Sequence, residues 1–269
     1  MQKSRLYTIV AAATLAGTMI ACENSTEVGL LNDNTITADV AASAGDAISL
    51  AVSNMVANET AASLSSLEVQ PGPPMASAAD NSGVAFTRTR TCLDATGATV
   101  TGCSPLSSVR KIITRVTMDG TRTGSDSSKT KTWSGAVHRV SNDTVTRVFN
   151  TATPPVETSR VHADITTGND TTTFTEGEFS RKVIEAAVDS VKQVTFNVPR
   201  SQNPWPVSGK IVRVVSVKIS VTRGSKTETK DVTRTIEVDF PPDAQGNVVL
   251  KINGKTCSLN LVTHAVTGC

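Results

Sequence analysis

The stretch GKIVRVVSVKISVTRGSKTETKDVTRTIEVDF, residues 209–240, decides the fold. In its first half Ile211, Val215, Val217, Ile219 and Val221 share one parity. In its second half Val232, Ile236, Val238 and Phe240 oppose Asp231, Thr233, Thr235, Glu237 and Asp239. Sustained period-two alternation describes two strands, each with one apolar and one wet face. Arg223-Gly224-Ser225 separates them as a turn. So short a link makes the strands antiparallel, because a parallel crossover needs a dozen residues or more.

The same Thr- and Val-rich language extends over 84–269. Strands are expected at 84–92, 100–103, 107–118, 129–141, 144–150, 158–167, 171–180, 182–198, 209–222, 227–240 and 246–252, with a hairpin over 255–269. Turn signals stand between them at Asp119-Gly120, Ser141-Asn142-Asp143, Pro154-Pro155, Gly168-Asn169-Asp170, Pro241-Pro242-Asp243 and Asn253-Gly254. Residues 182–192 (KVIEAAVDSVK) also fit a short helix, through Val183, Ala187 and Val191. The predicted fold is mainly β: a large antiparallel meander, as a curled sheet, half-barrel or sandwich, with one N-terminal helix. That helix is expected at about 37–58, where Val40, Ala44, Ile48, Val52 and Met55 or Val56 recur at helical spacing and Gly45 weakens the middle. It could cover the apolar face. Pro71-Gly72-Pro73-Pro74 marks a linker before the β domain at 84–269.

The 269 residues are 38% hydrophobic and 19% charged, too apolar for a wholly disordered chain. Past the first 20 residues no apolar run approaches the ~18 needed for a helical span. Lys3 and Arg5 precede the apolar segment Thr8–Ala21, which ends in Met19-Ile20-Ala21-Cys22. This resembles the signal peptide and lipobox of bacterial lipoproteins, with Met19 standing where the family usually has Leu. The resemblance covers residues 1–22 alone. It implies that 1–21 is removed and that Cys22 becomes an acylated (palmitate-class) N-terminus anchored in a membrane. Glu23 replaces the Asp that retains such proteins at the inner membrane, so the resemblance implies the outer membrane of the cell envelope.

Removing Lys3 and Arg5 leaves 24 basic and 24 acidic residues. The acidic tether at 22–83 contains Glu23, Glu27, Asp33, Asp39, Asp46, Glu59, Glu68 and Asp80 and no Lys or Arg, so the β domain carries the matching positive excess. Four cysteines remain in an oxidising compartment: Cys92, Cys103, Cys257 and Cys269. Two local hairpins would pair 92 with 103, through a turn at Gly97-Ala98, and 257 with 269, through a loop centred on Thr263. Closely spaced Cys-x-x-Cys pairs, as zinc would want, are missing.

Parity exposes arginines on the apolar side. Arg88 and Arg90 run with Val84 and Phe86, Arg139 with Trp133 and Val137, Arg147 with Val145 and Phe149, Arg213 with Ile211 and Val215, and Arg234 with Val232 and Ile236. A buried lone guanidinium is very costly. Three arrangements satisfy them: snorkelling at strand ends, capping by Asp39, Asp46 and Glu59 of the helix, or a cationic cleft for a lipid or other amphiphilic anion.

Catalytic patterns are missing. His138, His162 and His264 have no partner at a recognised spacing, and His162 with Asp164 reads as a solvated pair on one strand face. Gly-x-Ser-x-Gly, phosphate-binding loops and His-Glu-x-x-His do not occur. Arg122 interrupts the carboxylates of 119–126, which also fail EF-hand spacing. Aromatics make up 3%, too few to stack nucleic-acid bases. Trp205, between Pro204 and Pro206, reads as a plug for one end of the core. The expectation is a non-enzymatic envelope lipoprotein without cofactor or metal, binding an amphiphilic ligand within a curled sheet. The alternative is a surface, scaffold or adhesion protein without a cavity.

Overall fold

The computed structural model describes residues 83–104, 106–126, 131–200, 202 and 204–269. Nearer the N-terminus it describes residues 31, 36, 40–41, 44–45, 47–49, 51–52 and 55. The leader, Cys22, the linker and the carboxylates Asp39, Asp46 and Glu59 lie outside the described residues.

Ten strands form one antiparallel meander in chain order: β1 (Gly83–Leu93), β2 (Lys111–Asp126), β3 (Lys131–Phe149), β4 (Glu157–Glu176), β5 (Phe179–Asn197), β6 (Ser208–Arg223), β7 (Lys226–Asp239), β8 (Asn247–Ile252), β9 (Lys255–Asn260) and β10 (Val266–Thr267). β1 and β10 end the order, so the sheet is not closed into a barrel. The doubtful stretch 182–192 lies within β5.

The apolar faces of β5–β9 meet the N-terminal helix. Its described positions from 36 to 55 are helical, and Ile36, Val40, Ala44, Ile48, Val52 and Met55 are buried in one core with Val191, Phe196, Ile211, Ile219, Ile236, Leu250 and Leu259. Each large aliphatic side chain so buried contributes roughly 1.5–3 kcal/mol, which is what fixes the helix on this half of the sheet. Gly45 has a packing role as well as its cost to the helix. A Cβ there would stand 2.9 Å from Val266 Cγ2 and 3.0 Å from the His264 carbonyl oxygen, so the C-terminal strand rests on this glycine. Trp205 packs partly buried against the same core, over Gly246. On the opposite face β6 and β7 are zipped by hydroxyl pairs, Ser216–Thr233, Ser220–Thr229 and Thr222–Thr227, each at 3.0 Å.

Several expected breaks are absent. Asp119-Gly120 lies inside β2, Ser141-Asn142-Asp143 inside β3 and Gly168-Asn169-Asp170 inside β4. In the last two, residue types that favour turns serve cross-strand contacts instead. Gly168 lies opposite Arg139, and a Cβ there would come within 3.1 Å of Arg139 Cγ. The missing side chain lets Arg139 lie across β4 and reach Asp170.

The first disulfide hairpin also differs in detail. Residues 101–103 form a short 3-10 turn, a second covers Leu106–Ser108, and β2 starts only at Lys111. The reversal comes at Asp94–Gly97, two residues earlier than expected. There Asp94 Oδ1 accepts from Thr96 N, Thr96 Oγ1 and Ala98 N, while Gly97 takes φ 86°. This Asx arrangement, in which one carboxylate oxygen accepts from three donors, outweighs a two-residue turn. The β8–β9 turn is the expected one, with both Asn253 and Gly254 at positive φ, as a type I′ turn requires.

Candidate functional site

The sheet's register stacks the inward residues into rows. One runs Arg90–Thr114–Asp143–Asp164–Val191–Ile211, and the next Arg88–Val116–Ser141–Thr166–Asp189–Arg213. A third continues through Met118, Arg139, Gly168, Ala187, Val215 and Arg234. Polar and charged groups therefore collect on β1–β5, beside the apolar half under the helix.

Arg213, Arg139 and Arg147 are held by carboxylates of adjoining strands. Arg213 Nη1 donates to both oxygens of Asp189 at 2.8 and 2.7 Å, and its Nη2 donates to Glu185. Arg139 donates through Nε to Asp170 at 3.0 Å and through Nη2 to the same carboxylate. Burial works against the Arg139 cation, but Asp170, Glu185 and Asp189 together raise its pKa above the ordinary value. Arg147 donates to both oxygens of Glu157, at 3.0 and 2.7 Å, and to the carbonyls of Leu106 and Val109, at 2.5 and 2.8 Å. It thereby fastens the loop before β2 to β3 and β4. Arg160 joins the same carboxylate at 2.7 Å. Burial alone would raise the Glu157 pKa, yet the two guanidinium groups pull it down to about 2.

Arg88 and Arg90 are half-buried on β1; desolvation lowers both pKa values, the Arg88 charge lowers Arg90 further, and Asp143 opposes these effects. Arg234 donates to its neighbour's carbonyl, Thr233 O, at 3.1 Å.

The His162 environment overturns the expectation of a solvated pair. The imidazole is 0% exposed, with Nδ1 3.4 Å from Asp143 Oδ1 and its ring edge-on to Phe196 at 5.5 Å. Asp164, directly opposite Asp143, accepts from Ser141 and Thr166 at 3.0 and 2.7 Å. Desolvation chiefly, and the Asp143 charge, raise its pKa despite those hydrogen bonds. The signal for this cluster was parity, since His162 and Asp164 share a strand face. What the sequence withheld was that Asp143 belonged to a strand at all.

Both cysteine pairs form, Cys92–Cys103 and Cys257–Cys269. Cys92 is buried in a second, smaller core with Val109, Ile112 and Val145. Among the described residues, no three His, Cys, Asp or Glu side chains are grouped to hold a metal ion, and no helix is long and apolar enough to cross a membrane. In chemical terms the inner face is a lattice of charge pairs of both signs, able to fix strands in register and to meet polar partners. No family model, no curated protein and no solved structure matches the chain.

Proposed function

We propose that this chain is a lipid-anchored cell-envelope protein that acts as a non-catalytic scaffold, presenting a stiff, two-faced β sheet to other envelope components. The observation that carries this reading is the internal pairing of the inward arginines. With Arg213 on Asp189 and Glu185, Arg139 on Asp170 and Arg147 on Glu157, those cations are committed to neighbouring strands. The apolar half of the face is likewise occupied by the helix. Pairs that tie adjoining strands together stiffen the sheet, which suits display and assembly.

Native mass spectrometry of the protein released from its own membrane tests this. A complex containing a second kind of polypeptide is the expected result. Recovery of a stoichiometric lipid and no protein partner would replace it with the second reading, a carrier of an amphiphilic anion. That reading is favoured by Arg88 and Arg90, two like charges two residues apart on the inner face beside Val116 and Met118. Under it, Arg88→Gln with Arg90→Gln would remove the lipid and leave the circular dichroism spectrum unchanged.

A further inference from the structure

We infer that the sheet stands on the membrane with the β4–β5 and β6–β7 turns downward, and that Arg223 and Lys226 contact anionic lipid headgroups. This rests on the reading of Cys22 as the acylated anchor.

The first argument is reach. Leu31 N donates to Glu228 Oε2 at 3.1 Å, which pins the incoming chain three residues from the Gly224–Ser225 turn. Leu31 lies nine positions after Cys22, so the tether spans at most about 30 Å even when fully extended. Glu228 lies in the row Glu228–Val221–Arg181–Phe174, and the Cys92–Cys103 disulfide closes the row Cys92–Ile112–Val145–His162. Phe174 and His162 are twelve residues apart on β4, about 40 Å at the rise of a strand. The anchor therefore cannot reach the disulfide end.

The second argument is charge. Arg223 and Lys226 face each other across the β6–β7 turn and are exposed, with Lys230 behind them. The neighbouring turn touches this one, Gly224 N donating to the Glu178 carbonyl at 3.2 Å. It carries Glu176 and Glu178 at its tip and Lys182 behind. The acidic pair keeps the attraction modest, so the tether sets which end is near the bilayer. The basic turn then selects upright contact over a sheet lying flat. The partner is an anionic lipid surface, and the attraction falls off within a Debye length of about 8 Å at physiological salt.

Hydrogen exchange of the full, acylated protein in vesicles of four parts phosphatidylcholine to one part phosphatidylglycerol tests the inference, with detergent-solubilised protein as reference. Acylation is read beforehand as the intact mass at Cys22. The expected result is exchange slowed about tenfold over 220–230 and unchanged over 92–110. Arg223→Gln with Lys226→Gln should reduce that protection severalfold while 209–217 exchanges as before. An acyl mass at Cys22 with no slowing at 220–230, or with slowing at 92–110 instead, overturns the inference and leaves the anchor intact. A free Cys22 thiol, or Met1 still present, overturns the anchor and this inference with it.

Discussion

Arg213 and Asp189 face each other on β6 and β5, and a single guanidinium nitrogen of Arg213 donates to both carboxylate oxygens of Asp189, at 2.8 and 2.7 Å. Glu185, two inward positions along β5 beyond Ala187, takes the other nitrogen. The Arg213 side chain is 5% exposed, so the trio forms one desolvated unit at the border between the charged and apolar halves of the sheet.

Arg213→Met should therefore cost about 2–4 kcal/mol in denaturant unfolding, because two carboxylates are left facing each other without their cation. The figure lies below that for a fully buried pair, since Asp189 and Glu185 keep some solvent. Adding Asp189→Asn and Glu185→Gln should recover most of the loss. If the triple variant is no more stable than Arg213→Met, charge is not what Arg213 supplies.

Glu157 gives a pH signature. Its native pKa of about 2 lies below the ordinary 4.5, so its pairing stabilises the fold at pH values above the unfolded value. That stability is lost as pH falls from about 4.5 through about 2. Denaturation midpoints measured across this window should decline in the wild type more steeply than in Glu157→Gln, which has already lost the contribution at neutral pH.

Asp164 behaves in the opposite sense. Its pKa is raised in the native state, so the folded protein resists ionisation that the unfolded chain accepts. The resulting penalty grows as pH rises from the unfolded value through the native one, and is constant above. Asp164→Asn, which still accepts from Ser141 or Thr166, should raise the thermal midpoint at pH 7 and leave it unchanged in strong acid. A lower midpoint at pH 7 would refute the sign.

Gly45→Val tests how the helix sits on the sheet. The new side chain would collide with Val266 and the His264 carbonyl, a cost of about 2–3 kcal/mol. Faster amide exchange at 264–267, with β2–β4 unaffected, is the expected pattern.

The sequence by itself determined the antiparallel meander, the apolar parity of β6 and β7, the helix stripe Val40–Ala44–Ile48–Val52, and both cysteine pairs. Each of these is a local period or a short loop, written within one or two strand lengths. It also showed which arginines point inward. Only the tertiary structure decided what they meet. Asp170 lies 31 residues from Arg139, Asp189 and Glu185 lie 24 and 28 from Arg213, and Asp143 lies 19 from His162. Those distances depend on strand register, and register depends on whether Ser141-Asn142-Asp143 and Gly168-Asn169-Asp170 turn or run straight. Local propensity favours turning. Running straight places Arg139 on Asp170 and Asp143 against His162, and that gain exists only once the neighbouring strands are in place.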